Sequence, residues 1–355
     1  MNINSASLAN PLSGTVSVSS LPLALHATPY QSSTPYTQQF SLDLQQQIVR
    51  DLILDIGYVG ALSRHLLGEV DLNQPRPGAY LTSGLFPGGV VTRSNTNLLN
   101  GIRPYVGYSA INAIEPWFGA NYNSLQASLQ KRFSDGSIID FNYTFSKALT
   151  DNQTDRSTAV QNIYNIRGEY GPAQYDRRNV FTADFVYNLP FFREQQGFTG
   201  HLLGGWEFAG VVLANSGLPL TVTTSADPAG LGLLSAASAA GARPNQVGNP
   251  SAGAPHTRAK WFNTAAFSDQ VVPGQAGNEP RGAVRGPGYQ RWDLSLLRNF
   301  KINDRFNLQF RGETFNTFNH TNYDTVSTSD TSSTYGQVTG YRDKRIIQLG
   351  LKLAF

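Results

Sequence analysis

The last eleven residues, 345–355, alternate too regularly for a helix. Ile347, Leu349, Leu351, Leu353 and Phe355 fall on one side, and Gln348, Gly350, Lys352 and Ala354 on the other. Successive side chains of an extended strand point to opposite faces, so a period of two marks a strand with one apolar and one polar surface. A helix would repeat its apolar residues three and four apart.

The same repeat recurs upstream. Leu125, Ala127, Leu129 and Phe133 oppose Ser124, Gln126, Ser128, Gln130 and Arg132. Ile139, Phe141, Tyr143 and Phe145 oppose Asp140, Asn142, Thr144 and Ser146. Phe181, Ala183, Phe185, Tyr187 and Leu189 oppose Thr182, Asp184 and Asn188, and Phe306, Leu308 and Phe310 oppose Asn307, Gln309, Arg311 and Glu313. Less regular versions cover 40–47, 52–60, 205–216 and 289–300. These make nine expected strands, most of them about the 9–11 residues that a tilted membrane-crossing strand requires.

Composition agrees with a surface that does not all face water. Charged residues are 14% of the chain and aromatics 11%, against a usual charged share of about 25%. Yet mean hydropathy is negative, and no stretch suits a helical span. The longest candidate for such a span, 208–226, carries no charge but holds Asn215, Ser216, Gly217 and Pro219. A transmembrane β-barrel reconciles the two, because only alternate residues of each strand need be apolar. With no cysteines, disulfides and thiolate metal sites are excluded. A net charge of +3 with interspersed signs shows no nucleic-acid stripe, and no such partner is expected.

The connections carry independent information. Those at 48–51, 134–136, 191–200 and 301–304 are short, and those at 61–122, 148–178, 217–288 and 318–344 are long. Strict alternation of this kind is the pattern of an outer-membrane barrel, with short periplasmic turns and long extracellular loops. A periplasmic C-terminus puts every short turn on the periplasmic side. Nine strands cannot close an antiparallel barrel, so either a weak strand within 14–25 restores parity or further strands come from sequence outside this chain. The first 42 residues carry no Lys, Arg, Asp or Glu, and their best apolar patch, 21–25, is interrupted by Pro22. That falls short of the basic start and apolar run of a secretory signal.

Several residues are candidates for function. Phe355, with Leu353 and Leu351 on the same face, forms an aromatic-ended terminal strand of the kind that barrel-assembly machinery captures by edge pairing. Tyr143, Tyr187, Trp206 and Trp292 are expected in interfacial girdles against outer-membrane lipid. Asp140, Asp184, Arg311, Glu313 and Lys352 are expected to face the lumen, as a structural charge network before a substrate site. Residues 151–155 (DNQTD) offer oxygen ligands without the spacing of a calcium loop and are expected to be solvated. RGAVRGPG at 281–288 lacks the Lys-Ser/Thr pair and following helix of a phosphate loop, and serves to return a loop to the next strand. The five histidines (His26, His65, His201, His256 and His320) show no metal-type spacing, and nothing suggests a catalytic triad. No cofactor and no enzymatic activity are expected. The Ser/Thr/Asp-rich stretch 321–334 is expected to be a mobile loop.

Longer phrases bring in a resemblance. YNSLQASLQKRFSDGSIIDFNYTFSK (122–147), EYGPAQYDRRNVFTADFVYNLP (169–190), GWEFAGVVLANSGLPLTV (205–222) and RGPGYQRWDLSLLRNFKINDRFNLQFRGETFNTFNHTN (285–322) resemble the C-terminal half of Oar-like TonB-dependent outer-membrane transporters. The likeness runs from about residue 36 to the end. It implies a 22-stranded barrel preceded by a plug, a TonB-contacting segment and often a carboxypeptidase-regulatory-like domain, none expected within these residues. The expected division is an uncharged segment at 1–37, loop or weak strand, and a barrel region at 38–355. The implied role is the barrel portion of a transporter fragment, with an extracellular ligand outside and TonB reached only through missing N-terminal parts. The alternatives are a small autonomous outer-membrane channel of about ten strands, and a surface adhesin or soluble β-sheet protein.

Overall fold

The computed structural model describes residues 22–153, 160–192, 195–234, 241–301, 306–342 and 344–354. Among these described residues the strands are β1 (Leu23–Ala27), β2 (Tyr36–Val49), β3 (Leu52–Asp71), β4 (Tyr108–Arg132), β5 (Ile138–Thr150), β6 (Gly171–Pro172), β7 (Asn179–Asn188), β8 (Trp206–Asn215), β9 (Pro219–Leu220), β10 (Asn245–Gln246), β11 (Phe267–Ser268), β12 (Val284–Arg285), β13 (Tyr289–Lys301), β14 (Asn307–Phe315) and β15 (Ile346–Ala354). The main sheet runs β15-β14-β13-β8-β7-β5-β4-β3-β2, every neighbour antiparallel. These nine strands are the nine alternating segments, in chain order. No helix among the described residues is long and apolar enough to cross a membrane.

Register carries the alternation across the whole wall. Leu44, Ile56, Ala127, Tyr143, Phe181 and Ala214 form one cross-strand row, and Gln45, Asp55, Ser128, Asn142 and Thr182 form the row beside it. A slip of one residue anywhere would mix the two faces. The apolar face is bare: Leu349 and Leu351 are 72% and 71% exposed, and Leu42, Leu44 and Ile347 are also largely open. In water such a face would drive aggregation, so a bilayer is its natural cover.

Short turns gather at one end. Between β4 and β5, Phe133 N–H donates to Ser137 O and Gly136 N–H to Phe133 O, with Gly136 at φ 84, where a side chain would strain. Between β7 and β8 the turn includes a helix, α1 (Gly197–Leu203).

Two expectations need correction at the long-loop end, and a third falls only partly within the described residues. The first loop is shorter than 61–122, because β3 and β4 stay paired as far as Asp71↔Asn112, accommodating bulges between Ser63 and Gly68. The described end of the segment 14–25, where a weak strand was sought, belongs to β1, which does not join the antiparallel wall. β1 lies parallel to β4, pairing Leu23 with Tyr108 and Ala27 with Ala113, where a wall strand would be antiparallel; residues 14–21 lie outside the described residues. Nor is 321–334 a structureless tether. Val326 pairs with Val338 and Ser329 with Thr223, and Val326 is buried with Val222, Phe262, Val284 and Val338.

That cluster is one of four small cores among the described residues, and all four lie at the long-loop end. Ala229, Leu231, Leu233 and Ala242 form the second; Tyr80, Phe86, Val91 and Leu99 the third; Val70, Phe118 and Val160 the fourth. The sheet surrenders its apolar side to lipid, so the buried cores hold the loops together instead.

Candidate functional site: the polar face and the loop cap

The polar face takes its chemistry from alternate residues of each strand. Asp140 and Asp184 stand directly opposite each other across β5 and β7. Arg311 donates through Nη2 to Glu313 Oε1 at 2.9 Å, two residues along β14, and Lys352 lies opposite Gln309. The five residues share a face but form two separate groups, because β8 and β13 stand between them.

The expected girdle residues lie on the apolar face, toward both ends. Near the short turns, Tyr187 meets Phe133 edge-on at 6.0 Å, and Trp206 lies 6.4 Å from Phe310. The Arg298 guanidinium sits 5.1 Å from the centre of the Trp206 ring and 4.1 Å from that of Phe300, so aromatic faces shield the charge. Toward the long loops, the Tyr143 hydroxyl donates to Asn179 Oδ1 at 2.6 Å, and Trp292 meets Phe318 at 5.6 Å. Leu351 and Leu353 lie on the apolar face of β15, opposite Phe310 and Leu308. Phe355 lies outside the described residues.

Above the sheet, the long loops are joined by buried ions. Arg103 donates from Nη1 to Asp71 Oδ2 at 2.8 Å and to Asn73 O at 2.7 Å, pinning the loop between β3 and β4. Arg243 donates from Nη2 to Glu169 Oε1 at 2.7 Å and from Nε to Gln161 Oε1 at 2.6 Å, joining 151–178 to 216–288. Arg281, also buried, donates to the Thr150 carbonyl at the end of β5, and Arg285 pairs with buried Asp176. Asp151, the described acid of the DNQTD run, is half-buried and accepts from Gly119 N–H at 2.8 Å; residues 154–155 lie outside the described residues.

Burial sets the electrostatics of this cap. Desolvation pushes the Glu279 carboxyl up to about 8, against the opposing pull of a hydrogen bond from Val222 N–H and the charge of Arg243. Desolvation likewise brings Arg281 down to about 10. Asp227 is raised by burial although Leu231, Gly232 and Leu233 donate backbone N–H groups to it. Among the described residues no group of three His, Asp or Glu side chains converges as a metal site.

Reading the sequence for alternation missed these ions, because they lie in loops without period. A local signal existed: Asp227 and Arg243, the only charges between residues 208 and 257, each immediately precede a proline, as does Glu279. Proline holds its predecessor extended, which favours a fixed side-chain direction.

Among solved structures, the chain is similar to the outer membrane transporter YddB from Escherichia coli, at 10% identity and a TM-score of 0.48, over 94% of this chain and 34% of that one. It is also similar to the pyoverdine outer membrane receptor FpvA from Pseudomonas aeruginosa, at 10% identity and a TM-score of 0.41, over 90% of this chain and 30% of that one. The chain thus spans about a third of the length of these proteins. No curated protein matches it. The family described as the outer membrane beta barrel domain matches residues 2–348. With its antiparallel wall and bare apolar face, the chain belongs to the outer membrane beta barrel domain family and resides in the outer membrane of a Gram-negative type of cell.

Proposed function

We propose that this chain is the C-terminal part of the barrel of a TonB-dependent transporter of the Oar-like kind. Its polar face lines the lumen, its short turns lie in the periplasm, and its long loops close over the extracellular mouth and meet the ligand. Energy coupling would then come from a plug and a TonB-contacting segment encoded outside these residues.

The observation that carries this reading is the open sheet. Among the described residues β2 and β15 end the order without pairing to each other, and β2 is exposed along all fourteen residues. A membrane wall with free edges leaves backbone donors and acceptors unsatisfied in lipid, so a closed barrel needs more strands. The cross-linked loop cap agrees with a ligand gate that is built rather than trailing.

The test is to reconstitute the chain alone in planar bilayers and measure conductance. The transporter-fragment reading expects no steady unitary current and no heat-modifiable monomer. A stable unitary conductance from the chain alone would favour the autonomous channel and overturn it. Solubility without detergent, with no gel-mobility shift on heating, would favour the adhesin or soluble sheet.

A further inference from the structure

We propose that the chain carries, outside the lumen, a lateral cleft that binds the neutral pyranose headgroup of an outer-leaflet glycolipid. The cleft encloses about 880 Å³ at the long-loop ends of β7, β8 and β13, within the range of small-molecule sites. Its floor is the cross-strand row Phe181, Ala214 and Gln290, with Asn179 beside it. That row belongs to the apolar face, so the cleft opens toward the bilayer rather than into the lumen. The inference rests on the reading that this face meets lipid and that the long loops are extracellular.

The walls come from two loops. One supplies His256 and Trp261, and the other Phe318, Asn319, His320 and Tyr323. Flat aromatic rings offer apolar faces to the C–H side of a sugar, while amides and imidazoles pair with its hydroxyls. No charged side chain lines the cleft among the described residues, which favours a neutral sugar over a phosphate.

The rings are held in advance of any ligand. Trp261 Nε1–H donates to Arg285 O at 2.8 Å, and its ring meets His256 at 5.1 Å and Tyr323 at 6.0 Å. Phe318 leans edge-on against Trp292 but remains 66% exposed. The turn presenting it holds Asn316 and Asn319 at φ 51, a left-handed conformation that asparagine tolerates better than other side chains. Asn316 bridges that turn, donating to His320 O at 3.0 Å and accepting from His320 N–H at 2.9 Å. Gln290 Nε2 lies 3.1 Å from a His320 ring nitrogen, within direct hydrogen-bond distance, so the two polar groups are held together at the cleft wall.

The probe is a neutral diglucosyl diacylglycerol. The protein is purified from outer membranes, placed in phosphatidylcholine nanodiscs with and without the glycolipid, and its retained lipids are counted by native mass spectrometry. Wild type is expected to enrich the glycolipid over phosphatidylcholine. Phe318→Ala and Gln290→Ala, both at exposed side chains, are expected to cut that enrichment about tenfold. Unchanged retention in both variants, or no enrichment by wild type, overturns the proposal. Equal binding of soluble maltose in pure phosphatidylcholine overturns the lipid source. Quenching of Trp292 by brominated lipid, measured in the same discs, reports separately on the bilayer reading: absence of quenching sinks that reading and the cleft with it.

Discussion

Arg243 donates to Glu169 at 2.7 Å although 74 residues separate them, and both side chains are buried. This one contact ties two long loops together above the sheet. Removing one partner of such a pair leaves the other charge buried and uncompensated, at a cost of about 3–5 kcal/mol. Glu169→Ala is therefore expected to open the cap while the wall survives. Trypsin should cut within 216–288 much faster, with heat-modifiable mobility unchanged. Wild-type cutting rates would show that the pair does not hold the cap.

Glu279 makes the cap pH-sensitive. Its folded-state pKa, about 8, lies above the ordinary carboxylate value, so the folded loop binds the proton more tightly than the unfolded loop does. Stability from this group is complete below the ordinary value and is lost as pH rises through about 8. Protease resistance of 216–288 should fall between about pH 5 and about pH 9, and Glu279→Gln should flatten that dependence. An equally steep fall in the variant would assign it to other groups.

Asp140 and Asp184 place like charges directly opposite on the polar face. Such pairs destabilise a sheet by about 0.2–1 kcal/mol. Asp140→Asn should raise the urea midpoint of the barrel by a corresponding small amount. A lower midpoint would mean that both charges are held by a compensating partner in the assembled barrel.

Leu351 tests the assignment of faces. Arginine on the lipid face near the bilayer midplane costs about 2–4 kcal/mol. Leu351→Arg should lower the yield of folded barrel, whereas Gln348→Arg, on the opposite face of the same strand, should be tolerated. The reverse order would invert the reading of the wall.

Phe355 is expected to mark the strand for assembly. Its deletion from the complete protein should reduce outer-membrane insertion without changing synthesis. Undiminished heat-modifiable barrel in membrane fractions would rule out that role.

The wall was readable in the amino-acid order to an unusual degree. Segments such as Ile139–Phe145 and Phe306–Glu313 alternate because each wall strand has lipid on one side and polar surroundings on the other, so local order mirrors environment residue by residue. Where that pressure stops, legibility stops. The continuation of β3 to Asp71 carries Glu69, Val70 and Asp71 in succession, all buried against loops, and breaks the alternation. The short strand Leu23–Ala27 gave no sign of its parallel partner.

The nine wall strands and the alternation of their faces were thus determined by the chain order alone, since a period of two is a local property. Only the tertiary structure decided that Arg243 would meet Glu169, that Val326 would join Val222 and Phe262, and that Trp261 and Phe318 would line one cleft. Those contacts join residues far apart in the chain. Loop side chains have no repeat to announce their partners, and their burial is set by how four loops pack together.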